Sequence, residues 1–149
     1  MKKQVLFAGI ATACLIVSGA AYATDLYVSI STGNNKNEGT KEAPLKNIWK
    51  AIENAEPGDT IHVAAGNYPG KMSCGWIEMN KPVKLIGGYS PDFSERDPLK
   101  LHTMLRPTNA QNATKPQFGT LTITADTFGA DAEILIDGII FDHTQANSY

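Results

Sequence analysis

Two carboxylates near the end of the chain are spaced so that they could do chemistry. Asp137 and Asp142 lie on either side of a Gly138 corner, with a short apolar run after the glycine. If both project from one edge, they could bind Ca²⁺ through oxygen ligands or act as a carboxylate pair in glycoside hydrolysis. The simpler interpretation is that Asp137-Gly138 forms a turn and that Asp142 faces solvent. The two residues are therefore our only metal-site candidates, and no catalytic residue is assigned.

The three histidines offer further candidates for proton transfer or metal binding. His143 follows Asp142 directly and could act as an oriented base, although a polar pair at the surface is the simpler interpretation. His62 alternates with apolar neighbours, so we expect it to point out of its strand into solvent. His102 has no metal-ligand spacing to the other histidines.

A charged segment and three aromatic side chains allow two more interpretations. The segment 92–97 holds three carboxylates and an arginine but lacks the ordered spacing of a calcium loop, which favours a solvated loop. Aromatic faces suit the apolar side of pyranose rings, and Trp76, Tyr89 and Phe93 could serve in this way. Packing of these rings onto the protein's own wall is the alternative. Cys74 is interpreted as a small buried hydrophobe rather than a nucleophile.

The composition excludes several classes of protein. The 149 residues include 13 basic and 15 acidic side chains, a formal net charge of −2, with 42% hydrophobic and 19% charged residues. These values are typical of a globular domain and argue against a disordered tail or a disulfide scaffold. The near-neutral balance argues against nucleic acid as a partner, which would need a basic stripe. The sequence contains no phosphate loop, nucleophile elbow or dinucleotide fingerprint.

The first residues, 1–23, predict a secretory signal peptide. Two lysines open the segment, and residues 5–17 are apolar except for one threonine. Ala21-Tyr22-Ala23 then forms a small-x-small cleavage site. Because the apolar run is short for a bilayer span, we expect no stable membrane insertion after cleavage. The mature domain is expected to be exported to the periplasm, the cell surface or the extracellular space.

Hydrophobic periodicity predicts one amphipathic helix. Apolar residues recur at the spacing of a helix with 3.6 residues per turn, and polar side chains fill the other face. The helix is predicted from Pro44 to Asn54, with the proline in its first turn and Pro57-Gly58 ending it. The apolar stripe consists of Leu45, Ile48, Trp49, Ile52 and Ala55.

The remainder of the chain predicts short strands with glycine at the corners. Runs rich in β-branched residues alternate with turn clusters such as Gly66–Gly70. The strands have no clean repeat period, so the pattern alone leaves a sandwich, a barrel and a solenoid open. The predicted strands are 26–30, 60–63, 82–86, 120–124, 133–136 and 139–142.

About 40 residues near the start of the predicted mature chain carry an ordered pattern of strand, Asn/Gly loop, amphipathic helix and turn. Its most specific elements are Tyr27-Val28-Ser29, Gly39-Thr40, Pro57-Gly58-Asp59-Thr60-Ile61 and Gly66-Asn67-Tyr68. This pattern resembles the N-terminal entry of right-handed parallel β-helix proteins of the pectin-lyase-like superfamily. The resemblance implies an all-β solenoid whose open first coil is covered by the helix, which hides apolar side chains and unpaired backbone groups.

The resemblance divides the chain into three parts. Residues 1–23 are the signal peptide, residues 24–59 the first strand, loop and capping helix, and residues 60–149 the first coils, with an inserted loop around 88–118. Asp59 is expected to hydrogen-bond the turn after the helix. The chain after the cap suffices for only about three or four coils, so we expect a truncated part of a longer protein.

The resemblance also implies an association with polysaccharide. Many members of the superfamily are polysaccharide lyases or glycosidases that carry their catalytic groups on an exposed strand face and often use calcium. We expect the N-terminal part of an exported bacterial β-helix protein that binds or degrades polysaccharide in a pectate-lyase-like way. Ca²⁺ is the only cofactor implied, and this portion alone is expected to be inactive. The alternative is a non-enzymatic surface or adhesin scaffold, because a fold does not determine a function.

Overall fold

The described part of the chain is mostly β, with one short helix. The computed structural model describes residues 23–71, 76–106, 121–126 and 128–142. The strands are β1 Asp25–Val28, β2 Thr60–Ala64, β3 Gly66–Tyr68, β4 Ile77–Met79, β5 Lys84–Tyr89, β6 Thr103–Leu105, β7 Leu121–Ile123, β8 Leu135–Asp137 and β9 Ile139–Phe141, and the helix is α1 Ile48–Asn54. No helix in these ranges is long and apolar enough to cross a membrane.

The strands form three sheets in which all six strand pairings are parallel. The first sheet has the order β1-β2-β5-β8, the second β3-β6-β9 and the third β4-β7. From β2 onward the chain visits the first, second and third sheets in turn and then begins again. Parallel neighbours need a crossover connection, and here the other two sheets provide it. The prediction of an all-β chain with parallel sheets is confirmed.

Equivalent positions of successive strands align and build the core. One inward-facing ladder of the first sheet runs through Leu26, Ile61, Leu85 and Ile136. Ile61 and Leu85 are fully buried, and the residues on either side of them face outward because side chains alternate along a strand. In the second sheet Tyr68 pairs with Leu105, and both are buried. Burial of each large apolar side chain contributes about 2 kcal/mol.

The helix begins later than the sequence pattern predicts. It starts at Ile48 rather than Pro44, although its end agrees with the prediction. The N–H of Leu45 instead donates to the carbonyl of Tyr27 at 2.8 Å, and the carbonyl of Leu45 accepts from the N–H of Ser29 at 2.9 Å. The segment before the helix is therefore extended, because its backbone groups pair with the region of β1 rather than with a first helical turn.

The helix packs against the first strands of two sheets. Ile48, Ala51 and Ile52 are buried in the same core as Val28 and Ile61. The helix contacts β1, which is the edge of the first sheet, and β4, which opens the third sheet, as well as β2. Its apolar stripe thus covers side chains that would otherwise be exposed beside unpaired strand edges.

The predicted turn and the predicted insertion have different bounds in the structure, and the strand predicted at 82–86 is β5 Lys84–Tyr89. The segment Gly66–Gly70 was expected to be a turn, but its first three residues form β3 because they pair with β6. Strand β6 also lies inside the insertion predicted for 88–118, so the inserted loop of the described residues ends before Thr103. Strands of three residues are too short to show a periodic pattern, and this is why β4 and β6 escape prediction.

Some predictions fall on residues outside the described ranges. They concern most of the signal peptide, Cys74, His143 and the end of the chain after residue 142. These stay predictions, as does the part of the insertion beyond residue 106.

Tyr68 links the segment after β1 to the end of β2 through its buried hydroxyl group. Its side chain is buried, and its hydroxyl donates to the carbonyl of Ala64 at 2.9 Å while accepting from the N–H of Ile30 at 3.2 Å. Burial raises the pKa of the Tyr68 phenol well above its ordinary value near 10. The folded protein therefore keeps this phenol protonated in a pH range where the unfolded chain ionises it.

We predict that the free energy of unfolding falls as the pH rises above about 10, since the unfolded state then binds fewer protons than the folded state. Tyr68→Phe should weaken this dependence and lower stability at neutral pH by about 1–3 kcal/mol, because polar backbone groups lose their partner. Urea titrations at several pH values measure both effects. Tyr27→Phe is the comparison: burial raises the pKa of Tyr27 as well, but this residue is less buried, so its loss should weaken the pH dependence less. An unchanged pH dependence in Tyr68→Phe would contradict the assignment.

Candidate functional site

The outer face of the first sheet carries a row of side chains that are polar or aromatic except for one isoleucine. By register the row runs Tyr27, His62, Ile86 and Asp137. The segment 90–98, which we call the covering loop, folds back beside this row. An antiparallel bridge joins Tyr89 to Arg96, and the N–H of Asp97 donates to the carbonyl of Gly88 at 2.9 Å. The loop is thus anchored to the end of β5 at both of its ends.

His62 is hydrogen-bonded through both ring nitrogens. Nδ1 lies 2.9 Å from the hydroxyl of Tyr89, and Nε2 lies 3.0 Å from Oδ1 of Asp25. The ring of Tyr27 stacks on the imidazole with 4.9 Å between centroids, so the His62 side chain is only 16% exposed. His62 does point out of its strand, as predicted, but the expectation that it is solvated is wrong. Asp25, Tyr27 and Tyr89 enclose it.

The carboxylate, imidazole and phenol of this cluster form a hydrogen-bonded series. With its proton on Nε2, the His62 ring donates to Asp25 and accepts from the Tyr89 hydroxyl. Burial raises the pKa of Tyr89 above its ordinary value, although the nearby Arg96 guanidinium acts in the opposite direction. A phenol with a raised pKa stays protonated at neutral pH and is a poor general base. The geometry therefore favours a structural role, which is to hold the covering loop against the sheet.

Phe93 fills the space between the covering loop and the sheet. Its side chain is buried, and its ring meets Tyr27 edge to face with 5.0 Å between centroids. The backbone of Phe93 has φ = 57°, a left-handed conformation that is rare for a bulky residue. This strained backbone conformation directs the Phe93 ring inward, and packing of the ring offsets the strain. Of the three aromatic residues considered for sugar stacking, Tyr89 and Phe93 pack within the protein.

The two candidate metal ligands each face an arginine. Oδ2 of Asp137 lies 2.7 Å from Nη2 of Arg96, and Oδ2 of Asp142 lies 3.5 Å from Nε of Arg106. Asp137 ends a strand of the first sheet, whereas Asp142 follows a strand of the second. Gly138 between those strands has φ = 67°, which agrees with the predicted turn. Within the described ranges no three His, Cys, Asp or Glu side chains converge as ligands, so calcium binding stays a prediction.

The other charged candidates build the covering loop and the segment after it. Oδ1 of Asp92 accepts from the hydroxyls of Ser90 at 2.6 Å and Ser94 at 2.9 Å. These bonds, the one from Ser90 first, lower the pKa of Asp92 to about 2. The exposed His102 lies with Nε2 3.0 Å from the carbonyl of Leu99. These side chains are engaged in local turn contacts, which agrees with the simpler interpretation of the charged segment.

Trp76 lines a cleft of about 230 Å³, which we call the tryptophan cleft. The cleft lies between α1 and the third sheet. Trp49 forms part of its wall, although the helical periodicity placed that residue in the buried stripe. A period of 3.6 residues cannot separate the centre of a stripe from its edge, and Trp49 lies at the edge, half-buried. The lining consists of Trp49, Ile52, Glu53, Lys71, Trp76, Glu78, Asn80 and Lys81.

Polar contacts fix the orientation of the walls of the tryptophan cleft. Nε1 of Trp76 donates to the hydroxyl of Thr122 at 3.1 Å. Lys71 Nζ lies 5.8 Å from the centre of the Trp49 ring and 3.5 Å from a carboxylate oxygen of Glu53. The ammonium of Lys81 donates to the carbonyls of Glu53 and Ala55 at 2.9 and 2.6 Å, satisfying groups at the end of α1. The cleft thus combines two indole rings with ammonium, carboxylate and amide groups.

A larger groove of about 470 Å³ lies beside the turns that precede β2, β5 and β8. It contains no aromatic side chain, and the ammonium of Lys84 is 2.9 Å from the carboxylate of Glu133 across it. Ligand sites are usually lined by apolar and aromatic groups with a few polar ones. The tryptophan cleft is smaller and its lining is more polar than this, but two indole rings line it, and these aromatic faces make it the candidate site.

The comparisons with known proteins support the architecture. Residues 31–91 match the model of a family described as a protein of unknown function, DUF1565. This domain family is associated with parallel β-helix proteins. The match covers less than half of the 149 residues and includes α1 and the strands β2 to β5. No curated protein and no solved structure matches the chain.

We predict that Phe93→Ala lowers the free energy of unfolding by about 2–4 kcal/mol, because the substitution leaves a cavity between the covering loop and Tyr27. Leu99→Ala is the matched control. Leu99 follows the same loop and is 86% exposed, so its loss should change stability by less than about 0.5 kcal/mol. Urea denaturation of both variants tests the difference. Equal stability of the two variants would show that the loop does not depend on this contact.

Proposed function

We propose that this chain is the N-terminal part of an exported right-handed parallel β-helix protein that binds polysaccharide. Three parallel sheets, visited in a fixed cyclic order, support the solenoid. The DUF1565 match and the packing of α1 on the first strands support the same architecture. The proposed export rests on the signal-peptide pattern of residues 1–23.

The tryptophan cleft carries the polysaccharide part of the proposal. Indole faces pack well against the apolar face of a pyranose ring, while carboxylate, amide and ammonium groups bond to its hydroxyls. Trp49 and Trp76 offer the rings, and Glu78 and Asn80 offer polar groups at the same cleft. A volume of about 230 Å³ is below the usual range for drug-sized ligands, so one sugar unit is the appropriate occupant.

The charges of the cleft bear on the type of sugar. Lys71 and Lys81 line the cleft together with Trp49, which favours a sugar unit that carries a carboxylate, as uronates do. Lys71 is about half exposed, so its ammonium can be reached by an anionic ligand even though it lies 3.5 Å from Glu53. We therefore propose uronate-containing polysaccharide as the preferred class. Degradation in a pectate-lyase-like way is proposed only for a longer protein that includes this region.

A non-enzymatic surface or adhesin scaffold is the second candidate. It is favoured by the mutual pairing of the titratable groups on the outer face of the first sheet. His62 pairs with Asp25 and Tyr89, and Asp137 pairs with Arg96, which leaves these groups engaged in structural contacts. Titratable groups that are paired with one another in this way favour a structural surface over a catalytic site.

Tryptophan fluorescence tests the proposal directly, because the two tryptophans of the sequence both line the cleft. We predict that pectate or alginate fragments change the emission in a saturable way and that neutral dextran does so less. Trp76→Ala should weaken binding at least about tenfold, a loss of about 1.4 kcal/mol. Trp76→Phe, which keeps an aromatic face, should retain part of the affinity.

Leu99→Ala, which lies outside the cleft, is the control for non-specific effects of substitution. Binding of equal strength by the protein and by Trp76→Ala, measured by calorimetry, would remove the cleft from the proposal. Absence of binding to every polysaccharide would favour the scaffold. An assay for unsaturated uronates, which absorb in the ultraviolet, detects lyase activity separately.

A further inference from the structure

Asp59 is a buried carboxylate in the turn between α1 and β2. Its residue is only 3% exposed. Oδ2 accepts from the N–H of Glu56 at 2.8 Å, which closes the turn as the sequence predicts. Oδ1 accepts from the backbone nitrogen of Thr24 at 2.7 Å, a contact 35 residues away in the sequence. The carboxylate therefore joins the residue before β1 to the residue before β2.

This buried charge has no cationic partner among the residues that the structure describes. None of the ion pairs there involves Asp59. One donor nitrogen belongs to Glu56, which is acidic, and the other belongs to Thr24, which is followed in the chain by the acidic Asp25. A buried carboxylate without a counter-charge is costly, and two neutral N–H donors offset the cost only in part. A positive group at one of the donor positions would stabilise the fold.

The predicted signal-peptide cleavage creates such a group. The site Ala21-Tyr22-Ala23 places the scissile bond between Ala23 and Thr24, and both of these residues are exposed. Hydrolysis by a signal peptidase breaks the peptide C–N bond. Water supplies the hydroxyl that completes the Ala23 carboxyl group and the hydrogen that completes the Thr24 amine. This amine has a pKa near 8 and takes up a proton at neutral pH.

We propose that Asp59 is the binding site for the α-ammonium group of Thr24 that signal-peptide cleavage releases. The inference rests on the export proposed above but not on polysaccharide binding. The nitrogen that already lies 2.7 Å from Oδ1 gains a positive charge, and the neutral hydrogen bond becomes a charge-assisted one. Asp25 and Thr60, the residues directly after Thr24 and Asp59, form the first pair of β1 and β2. Cleavage of the signal peptide therefore strengthens the contact that joins the starts of these two strands.

The test compares processed proteins that differ only at the new N-terminus. The full chain is expressed in an exporting bacterium, and the N-terminus of the product is identified by intact mass and N-terminal sequencing. A matched variant carries Ser-Gln inserted between Ala23 and Thr24. It keeps the cleavage site, but the Thr24 nitrogen remains a neutral amide. Both forms are also made with Asp59→Asn, and all four are unfolded in urea.

We expect the product to begin at Thr24. The insertion should raise the unfolding equilibrium constant about tenfold when Asp59 is present and leave it nearly unchanged in the Asp59→Asn background. Equal effects of the insertion in both backgrounds would overturn the inference. A product cleaved at another bond would overturn the inference alone, and an uncleaved product would overturn it together with the proposed export. The fluorescence test of the tryptophan cleft would be unaffected in both cases.

A second measurement applies if the Asp59→Asn proteins do not fold. Cyanate carbamylates free α-amines, and an amine held by a carboxylate should react more slowly than the amine of the Ser-Gln form. Equal reaction rates of the two α-amines, followed by mass spectrometry, would show that Asp59 does not bind the N-terminus.

Discussion

Alignment of equivalent side chains along the first sheet is the constraint on which the rest of the structure depends. Leu26, Ile61, Leu85 and Ile136 occupy one ladder across four parallel strands. A slip of one residue at any strand would turn its charged or polar side chains inward. The turn at Asp59, the corner at Gly138 and the helix over β1 and β4 all serve to keep this register. Burial of the ladder in turn holds those elements in place.

Two groups of aromatic residues have opposite environments. Tyr89, the last residue of β5, bonds to His62, and Phe93 of the covering loop packs against Tyr27 and Tyr89. Trp49 and Trp76 come from the helix and the start of the third sheet and keep part of their rings accessible in a cleft. The first group packs within the protein, and the second lines the cleft for which we propose a sugar ligand. Aromatic residues therefore pack within the protein at one place in this fold and line an accessible cleft at another.

The sequence predicts the elements that depend on local pattern. The helix end, the strand runs of the first sheet and the corner at Gly138 follow from periodicity and turn chemistry. The parallel pairing of those strands was expected only from the resemblance to β-helix proteins. The helix start was wrong because Leu45 pairs with the region of β1, a contact that no local rule contains. The environment of His62 was missed for the same reason, since its partners lie 27 and 37 residues away. Its outward direction was predictable, but its enclosure depends on the pairing of β1 and β5 on either side of β2.

The parallel arrangement has a consequence for how the chain assembles during synthesis. Strand β1 emerges first and pairs with the segment at Leu45, but its neighbouring strand β2 comes later, because the contact that joins the two strands spans 35 residues. Closing a loop of that length carries an entropic penalty that must be met before any ladder is formed. Once β1 and β2 have met, β5 and β8 each add to an existing edge of the first sheet, whereas β3 and β4 begin the other two sheets. We therefore expect closure of this first loop to be the slow step and the later strands of the first sheet to add in chain order.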